Sequence, residues 1–275
     1  MLVKRIAFIG GGNMAFALVG GLRAAGKHAG DMPDARLDIV VADPIPGQLD
    51  RFDGVSTTQS NTVAVDSADA VVLAVKPQVI REVVTALPLE LHQLVISIAA
   101  GVPIEAISRW TSPEQPIVRC MPNTPALLRA GISGMTANRF VDADMRSLAE
   151  RILSAAGEVV WFDDEDSLHA VTALSGSGPA YAFYLLEAMI EAGVELGLDA
   201  PTAERLAEAT VLGAARMAEA ERVGPSVLRE RVTSPGGTTE RALSILESAR
   251  VRAKFKRAIQ AACQRSRELA KEFGK

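Results

Sequence analysis

The chain has 275 residues, of which 48% are hydrophobic, and its 29 basic and 33 acidic residues give a net charge of −4. This length and apolar content allow a buried core in one or two domains, which excludes a disordered or collagen-like protein. The small net charge disfavours nucleic acid and anionic membranes as partners.

Metal-binding and redox residues are scarce, with 3 histidines and 2 cysteines. They are His28, His92, His169, Cys120 and Cys263, and none of them stands at C-x-x-C or H-x-x-x-H spacing. We therefore expect no structural zinc site and no disulfide framework. Two isolated thiols favour a reducing cytoplasm.

The first residues resemble the start of a signal peptide, because Lys4 and Arg5 precede the apolar run Ile6–Ile9. Gly10–Asn13 interrupts that run after four residues, and no later run approaches the roughly 18 apolar residues of a membrane span. We expect neither a cleaved leader nor a membrane anchor.

Short β-branched runs alternate with helical or turn-rich segments up to about residue 162. This alternation is typical of parallel strands joined by crossover helices, and apolar residues at consecutive positions indicate strands covered on both faces. Residues 1–162 are thus predicted to form a Rossmann-type α/β domain. The predicted strands are Lys4–Ile9, Leu37–Ala42, Ala70–Val75, Leu94–Ala99, Ile117–Met121 and Glu158–Phe162.

The acidic stretch Asp163–Asp166 marks a change of composition, after which alanine, leucine and glutamate recur at helical spacing. Residues 163–275 are predicted to form an all-helical domain, with helices over Pro179–Leu198, Ala200–Arg222 and Thr239–Glu272.

One face of the first of these helices carries Glu187, Glu191 and Glu195, which predicts a solvated surface opposite its apolar residues. A small alanine-rich helical domain gains stability by burying its apolar faces against a copy of itself. A homo-oligomer is therefore our hypothesis.

Gly10-Gly11-Gly12-Asn13-Met14-Ala15 fits the pattern G-x-G-x-x-[G/A] between a strand and a predicted helix over Asn13–Ala25. The first glycine permits a tight turn, the second lets the backbone approach a pyrophosphate, and the small third residue lets helix and strand pack closely. The pattern predicts a dinucleotide site, the alternative being a glycine turn without a ligand.

Asp43 ends the second strand, where a carboxylate can accept hydrogen bonds from ribose hydroxyls, and this favours NAD. A 2′-phosphate there would be repelled by Asp43 unless a cation compensates, and Arg51 is the nearby candidate. Asp43 is alternatively a turn residue before Pro44.

Ligands of open α/β sheets bind at the carboxyl ends of the strands, so the strand ends at Ala74–Pro77 and Ala99–Pro103 are predicted to border the cofactor. For Lys76 a solvated loop lysine is the alternative.

Two glycine-rich loops, Ser175–Ala180 and Thr233–Thr239, each precede a helix. The second offers backbone N–H groups and hydroxyls for a small carboxylate, although tight capping turns would explain either loop equally well.

Along nearly its whole length the sequence resembles the Δ1-pyrroline-5-carboxylate reductase family. Six stretches in both halves carry the resemblance: Phe8–Met14, Ala74–Pro77, Ser97–Val102, Met121–Pro125, Leu174–Tyr181 and Ser234–Thr239. The resemblance implies reduction of a cyclic imine to L-proline by NADPH or NADH, and a helical domain that joins two subunits as a homodimer. The resemblance also allows further assembly of dimers, up to a decamer.

The resemblance also implies roles for individual residues. The cofactor would contact Ile9, Gly10, Gly11, Gly12, Asn13, Met14, Asp43, Asn61, Ala74, Val75, Lys76, Pro77, Ala100 and Gly101. The substrate carboxylate would be held by Ser234, Gly237, Thr238 and Thr239, with the Thr239 hydroxyl near the ring nitrogen and Glu165 at the rim. A polar uncharged or basic residue often follows the second strand in this family, so Asp43 leaves NADPH and NADH both open.

Two other functions compete. A β-hydroxyacid or 6-phosphogluconate-type dehydrogenase needs a base for alcohol oxidation, and the lysine that such enzymes place four residues after the glycine motif is Ala182 here. A nucleotide-sensing or scaffold protein would explain the glycine turn and the helical domain but not the loop Ser234–Thr239.

Overall fold

The computed structural model describes residues 4–28 and 37–275. The strands of this part are β1 Lys4–Ile9, β2 Leu37–Ala42, β3 Ser56–Thr58, β4 Ala70–Leu73, β5 Leu94–Ser97, β6 Ile117–Met121, β7 Gly131–Ala137 and β8 Gly157–Trp161. They form one sheet in the order β3-β2-β1-β4-β5-β6-β7-β8. All neighbouring pairs are parallel except β6 and β7, which are antiparallel.

The order of β1 to β6 is that of a doubly wound dinucleotide-binding sheet, in which the strand order reverses between β1 and β4. The predicted Rossmann-type domain is therefore confirmed.

Helices connect the strands and make up the rest of the described chain. They are α1 Asn13–His28, α2 Pro46–Leu49, α3 Asn61–Val65, α4 Ile80–Thr85, α5 Ile104–Trp110, α6 Ala143–Ser154, α7 Ser167–Val171, α8 Gly178–Glu195, α9 Ala200–Glu221, α10 Pro225–Arg231, α11 Thr238–Ser248 and α12 Val251–Phe273. A 3₁₀ turn covers Thr124–Leu128, and a π-helical turn covers Thr172–Gly176.

Both faces of the sheet are buried, as the consecutive apolar positions predicted. Successive residues of a strand point to opposite faces, so Ile6 and Phe8 join the core beneath α1 and α6, whereas Ala7 and Ile9 join the core beneath α3, α4 and α5. Covered in this way, the sheet presents its free strand ends as the place for a ligand.

The predicted strands are present with end shifts of at most two residues, but β3 and β7 were missed. β3 has three polar residues, and β7 contains glycines where the backbone packs closely. A Cβ on Gly131 would lie 2.9 Å from Ala126 Cα, and one on Gly134 would lie 2.8 Å from Val171 Cγ1. These glycines serve tertiary contacts, which a local strand pattern does not reveal.

The second half is helical in every described element after β8, as predicted. The single helix expected over Thr239–Glu272 was wrong, because α11 ends at Ser248 and α12 begins at Val251. Arg250 between them has a φ of 54°, a left-handed conformation that no helix interior contains. α10 was not predicted. Among the described residues, no helix has the length and apolarity of a membrane span.

The compact units of the described chain differ from the predicted division at residue 162. One unit comprises residues up to Ser177 together with Ala262–Lys275, and the other comprises Gly178–Ala261. The first unit gains its C-terminal segment through side-chain contacts of α12: Ser266 Oγ lies 2.8 Å from His169 Nδ1, and Arg267 donates to Asp166 over 2.8 Å. The domain boundary at 162 stays a prediction.

Candidate active site

The turn after β1 requires a glycine at its first position. Gly10 has a φ of 102°, and a Cβ on it would lie 2.8 Å from Ala74 O. Its N–H donates to Ala42 O over 2.8 Å. The turn thereby fits between the ends of β2 and β4, where a side chain would displace one of the two strands.

The next two glycines differ in their surroundings. A Cβ on Gly11 would lie 3.2 Å from Phe52 Cε2, whereas no described atom lies within 4 Å of the Cβ position on Gly12. Ala15, the small third residue of the motif, is fully buried between α1 and the sheet. This is the arrangement that lets a pyrophosphate approach bare backbone at the start of a helix.

Asp43 is held by two backbone N–H groups. Its Oδ2 accepts from Gly11 at 2.8 Å, and its Oδ1 accepts from Ile45 at 2.9 Å. The second contact is an Asx turn, so the structure gives Asp43 the role of a turn residue as well as a position beside the glycine turn. The carboxylate stabilises the turn whether or not it also contacts a ribose.

The remaining predicted cofactor residues in the first unit lie at strand ends or helix starts. Asn61 begins α3, after Ser60 has capped that helix by accepting from Val63 N. Ala74 follows β4 and donates to Ile9 O over 2.8 Å. Gly101, after β5, has a φ of 74°. The sheet thus brings the ends of β1, β2, β4 and β5 to one edge, as the sequence predicted.

Lys76 is exposed, next to Val75 and Pro77, which are half-buried. Its position fits both a cofactor contact and a solvated loop lysine. Its role stays a prediction.

Glu165 belongs to a partly buried ion pair. Its Oε1 accepts from Arg119 Nη1 at 2.6 Å and from Ile104 N at 2.9 Å. The Arg119 side chain is 4% exposed and that of Glu165 is 31% exposed. Glu165 therefore fixes the start of α5, directly after the loop containing Ala100 and Gly101. Its predicted place at the substrate rim stays a prediction.

Sequence reasoning missed Arg119. The signal was available, because an arginine inside the apolar strand Ile117–Met121 needs a partner once both faces of the sheet are covered. The sequence does not show which of its acidic residues supplies that partner.

A second set of contacts joins the motif Met121–Pro125 to the π-helical turn. Asn123 Nδ2 donates to Ser175 O over 3.2 Å, and its Oδ1 accepts from Ile132 N at 2.9 Å. Two of the sequence motifs are therefore structural neighbours, which the linear pattern did not predict.

The loop predicted to bind the substrate carboxylate lies in the second unit, before α11. Gly236 has a φ of 70°, and its N–H donates to Glu240 Oε2 over 2.7 Å. Gly237 is the N-cap of α11, and Thr238 and Thr239 form its first turn. A helix leaves its first N–H groups without intrahelical acceptors, so this turn offers backbone donors beside two hydroxyls.

Family comparisons match both halves of the chain. Residues 165–269 match the family model described as pyrroline-5-carboxylate reductase dimerisation. Residues 5–101 match the model described as NADP oxidoreductase, coenzyme F420-dependent. A pyrroline-5-carboxylate reductase of Pseudomonas aeruginosa is 49% identical over 279 residues, covering 100% of both chains. The chain belongs to the pyrroline-5-carboxylate reductase family.

Solved structures of this family have the same fold. The pyrroline-5-carboxylate reductase of Coxiella burnetii superposes with a TM-score of 0.87 at 46% identity, covering 98% of this chain and 99% of that one. A Plasmodium falciparum pyrroline carboxylate reductase, solved with NADP bound, has a TM-score of 0.84 at 27% identity, covering 97% and 99%.

Membership in the pyrroline-5-carboxylate reductase family also decides between the competing sequence interpretations. Ala182, an exposed residue of α8, stands where an alcohol dehydrogenase of the hydroxyacid type would need its lysine. The predicted family is confirmed.

Proposed function

We propose that this chain reduces the C=N bond of 1-pyrroline-5-carboxylate to give L-proline, the last step of proline biosynthesis, with NADPH or NADH as reductant. The observation that carries the proposal is the start of α11, where Thr239 and backbone N–H groups form a donor-rich turn, with the Glu240 carboxylate taking up the N–H of Gly236. A carboxylated imine matches this turn because its anion needs donors while its ring nitrogen needs one oriented hydroxyl.

The glycine turn fits the cofactor, since bare backbone follows β1 and the Cβ position on Gly12 lies in open space. Gly10 to Asn13 would hold the phosphates, and Ala74 to Pro77 with Ala100 and Gly101 would line the nicotinamide. When bound, the reduced nicotinamide supplies the hydride. The protein holds the two reactants and excludes water.

Thr239 is the residue that orients the substrate ring in this mechanism. A protonated imine is already electrophilic at the carbon that receives hydride, so the reaction needs no strong acid. The Thr239 hydroxyl oxygen accepts a hydrogen bond from the ring N–H and orients the ring. The N–H groups at the start of α11 hold the substrate carboxylate, together with Ser234 and Thr238.

Steady-state kinetics of Thr239→Ala, with Thr239→Ser as the matched control, test this function. We expect Thr239→Ala to lower kcat/KM for the imine by roughly 10- to 1,000-fold, the range for losing one positioned hydrogen-bonding group. Cofactor affinity should be unchanged, and Thr239→Ser should retain most activity. Wild-type kinetics in Thr239→Ala would remove Thr239 from the mechanism.

We also propose that the helical unit forms a homodimer. α8 has no buried residue, although it carries large apolar side chains. Phe183 is 60% exposed and Tyr184 is 77% exposed, a degree of exposure that marks an interface. Leu185 is 52% exposed on the side of α8 opposite Glu187 and Glu191, whereas Phe183 and Tyr184 flank those glutamates, so the dimer would bury apolar side chains on both sides of the helix.

Light scattering tests this assembly. We expect a mass at least twice the 29.1 kDa of the chain, and the decamer implied by the family resemblance would be the larger outcome. An active monomer at dilute concentration would contradict the dimer.

We place the protein in the cytoplasm, without a nucleic-acid partner. Cys120 and Cys263 are both free thiols, which suits a reducing compartment.

A further inference from the structure

The residues next to the glycine turn include Arg51, whose contacts with described residues are all with neutral groups. Arg51 Nη2 donates to Asn13 Oδ1 over 3.0 Å, and its Nη1 donates to Gln48 Oε1 over 3.1 Å. Its guanidinium carbon lies 4.6 Å from the centroid of the Phe16 ring. None of these three contacts neutralises the guanidinium charge, which arginine keeps at every physiological pH.

The platform beneath Arg51 is fixed against the glycine turn. Phe16 packs edge-on against Phe52, with 5.7 Å between ring centroids. Phe52 in turn approaches the Cβ position on Gly11 to 3.2 Å. The Arg51 guanidinium is therefore held by contacts with the start of α1, and the Phe52 ring next to it in the chain packs beside the end of β2.

Asp43, the residue that would repel a phosphate here, is part of the turn itself. Each of its carboxylate oxygens accepts a backbone N–H, from Gly11 and from Ile45. These bonds give Asp43 a structural role in the turn and leave lone pairs of both oxygens free. The aspartate after β2 therefore has a reason to be present whichever nicotinamide cofactor binds, and a phosphate beside it needs a compensating cation.

We propose that Arg51 is the residue that receives the adenosine 2′-phosphate and that this chain consequently prefers NADPH. This inference rests on the proposed use of a nicotinamide cofactor. A guanidinium presents paired N–H donors to a phosphate, whereas the ribose 2′-hydroxyl of NADH gives it no charge to pair with. Asn13 and Phe16 hold the guanidinium in place before the nucleotide binds.

Calorimetric titration with 2′,5′-ADP and with 5′-ADP tests the proposal without any imine or hydride transfer. Arg51→Met keeps the stem over Phe16 but removes the charge. We expect it to weaken 2′,5′-ADP by about 10- to 100-fold, the range for one charge-assisted contact, and to change 5′-ADP by less than about twofold. Arg51→Lys should fall between, because it restores charge without the paired donors.

Arg81→Met is the matched control, since Arg81 is an exposed arginine on α4, and both nucleotides should bind it as they bind the wild type. Equal weakening of both nucleotides by Arg51→Met would show instead that the arginine supports the turn through Asn13. Unchanged affinity for both would exclude it from the site. Either result overturns the proposal, while a failure of imine reduction would leave these titrations unaffected.

Discussion

Removing the carboxylate of Glu165 should destabilise the first unit, because it leaves Arg119 buried without its partner. Breaking a fully buried pair costs about 3–5 kcal/mol. The Arg119 side chain is 4% exposed, but that of Glu165 is 31% exposed, so water can replace part of the lost interaction. We expect Glu165→Ala to lower the free energy of unfolding by about 2–3 kcal/mol.

Thermal denaturation at a fixed chain concentration measures this effect. At about 2–4 °C per kcal/mol for a chain of this size, Tm should fall by about 4–12 °C. Glu165→Gln keeps one acceptor oxygen for Arg119 or Ile104 N, so it should lose about half as much.

The matched control is Glu105→Ala. Glu105 pairs with Arg109 on the surface of α5, and its side chain is 83% exposed. That substitution should cost less than about 0.5 kcal/mol. A wild-type Tm in Glu165→Ala, together with a raised KM for the imine, would refute the structural role and place Glu165 at the substrate instead.

Three further predictions concern backbone strain and pH. Gly10→Ala should cost about 1–3 kcal/mol of stability, because Gly10 has a φ of 102° and a Cβ there would crowd Ala74 O. Gly12→Ala should keep the wild-type Tm and lose nucleotide affinity. Equal Tm values for the two variants would contradict this explanation. Burial, followed by the charge of Arg119, lowers the pKa of His169 from its ordinary 6.5, so its contribution to stability is complete above about pH 6.5 and is lost as the pH falls toward the folded pKa. Denaturant titrations of His169→Gln should show a flatter pH dependence; an unchanged slope would exclude this origin. Arg250→Gly should raise the free energy of unfolding by about 0.5–1 kcal/mol, because glycine adopts the φ of 54° without strain; a gain in Arg250→Ala as well would show another cause.

The sequence predicted the parallel core of the sheet because those strands are apolar on both faces. β1 and β2 have the predicted ends for this reason. β7 was missed because its glycines make room for Ala126 and Val171, which lie outside the strand. The apolar pattern of a strand predicts its burial, but it does not show which atoms of other elements pack against the strand.

The site shows the same division. The glycine turn is visible in the sequence because its spacing alone encodes its geometry. The pair of Arg119 and Glu165 spans 46 residues, and the contact of Arg51 with Asn13 spans 38. Such pairs depend on which strand ends the topology brings together, so one sequence alone does not identify the partners.

We propose that this chain makes proline by reducing a cyclic imine. The most direct measurement incubates the purified protein with 1-pyrroline-5-carboxylate and reduced cofactor, and quantifies L-proline against oxidised cofactor. We predict one proline for each cofactor oxidised, with NADPH giving the higher kcat/KM. Binding of the cofactor without its oxidation, and without proline, would contradict the claim.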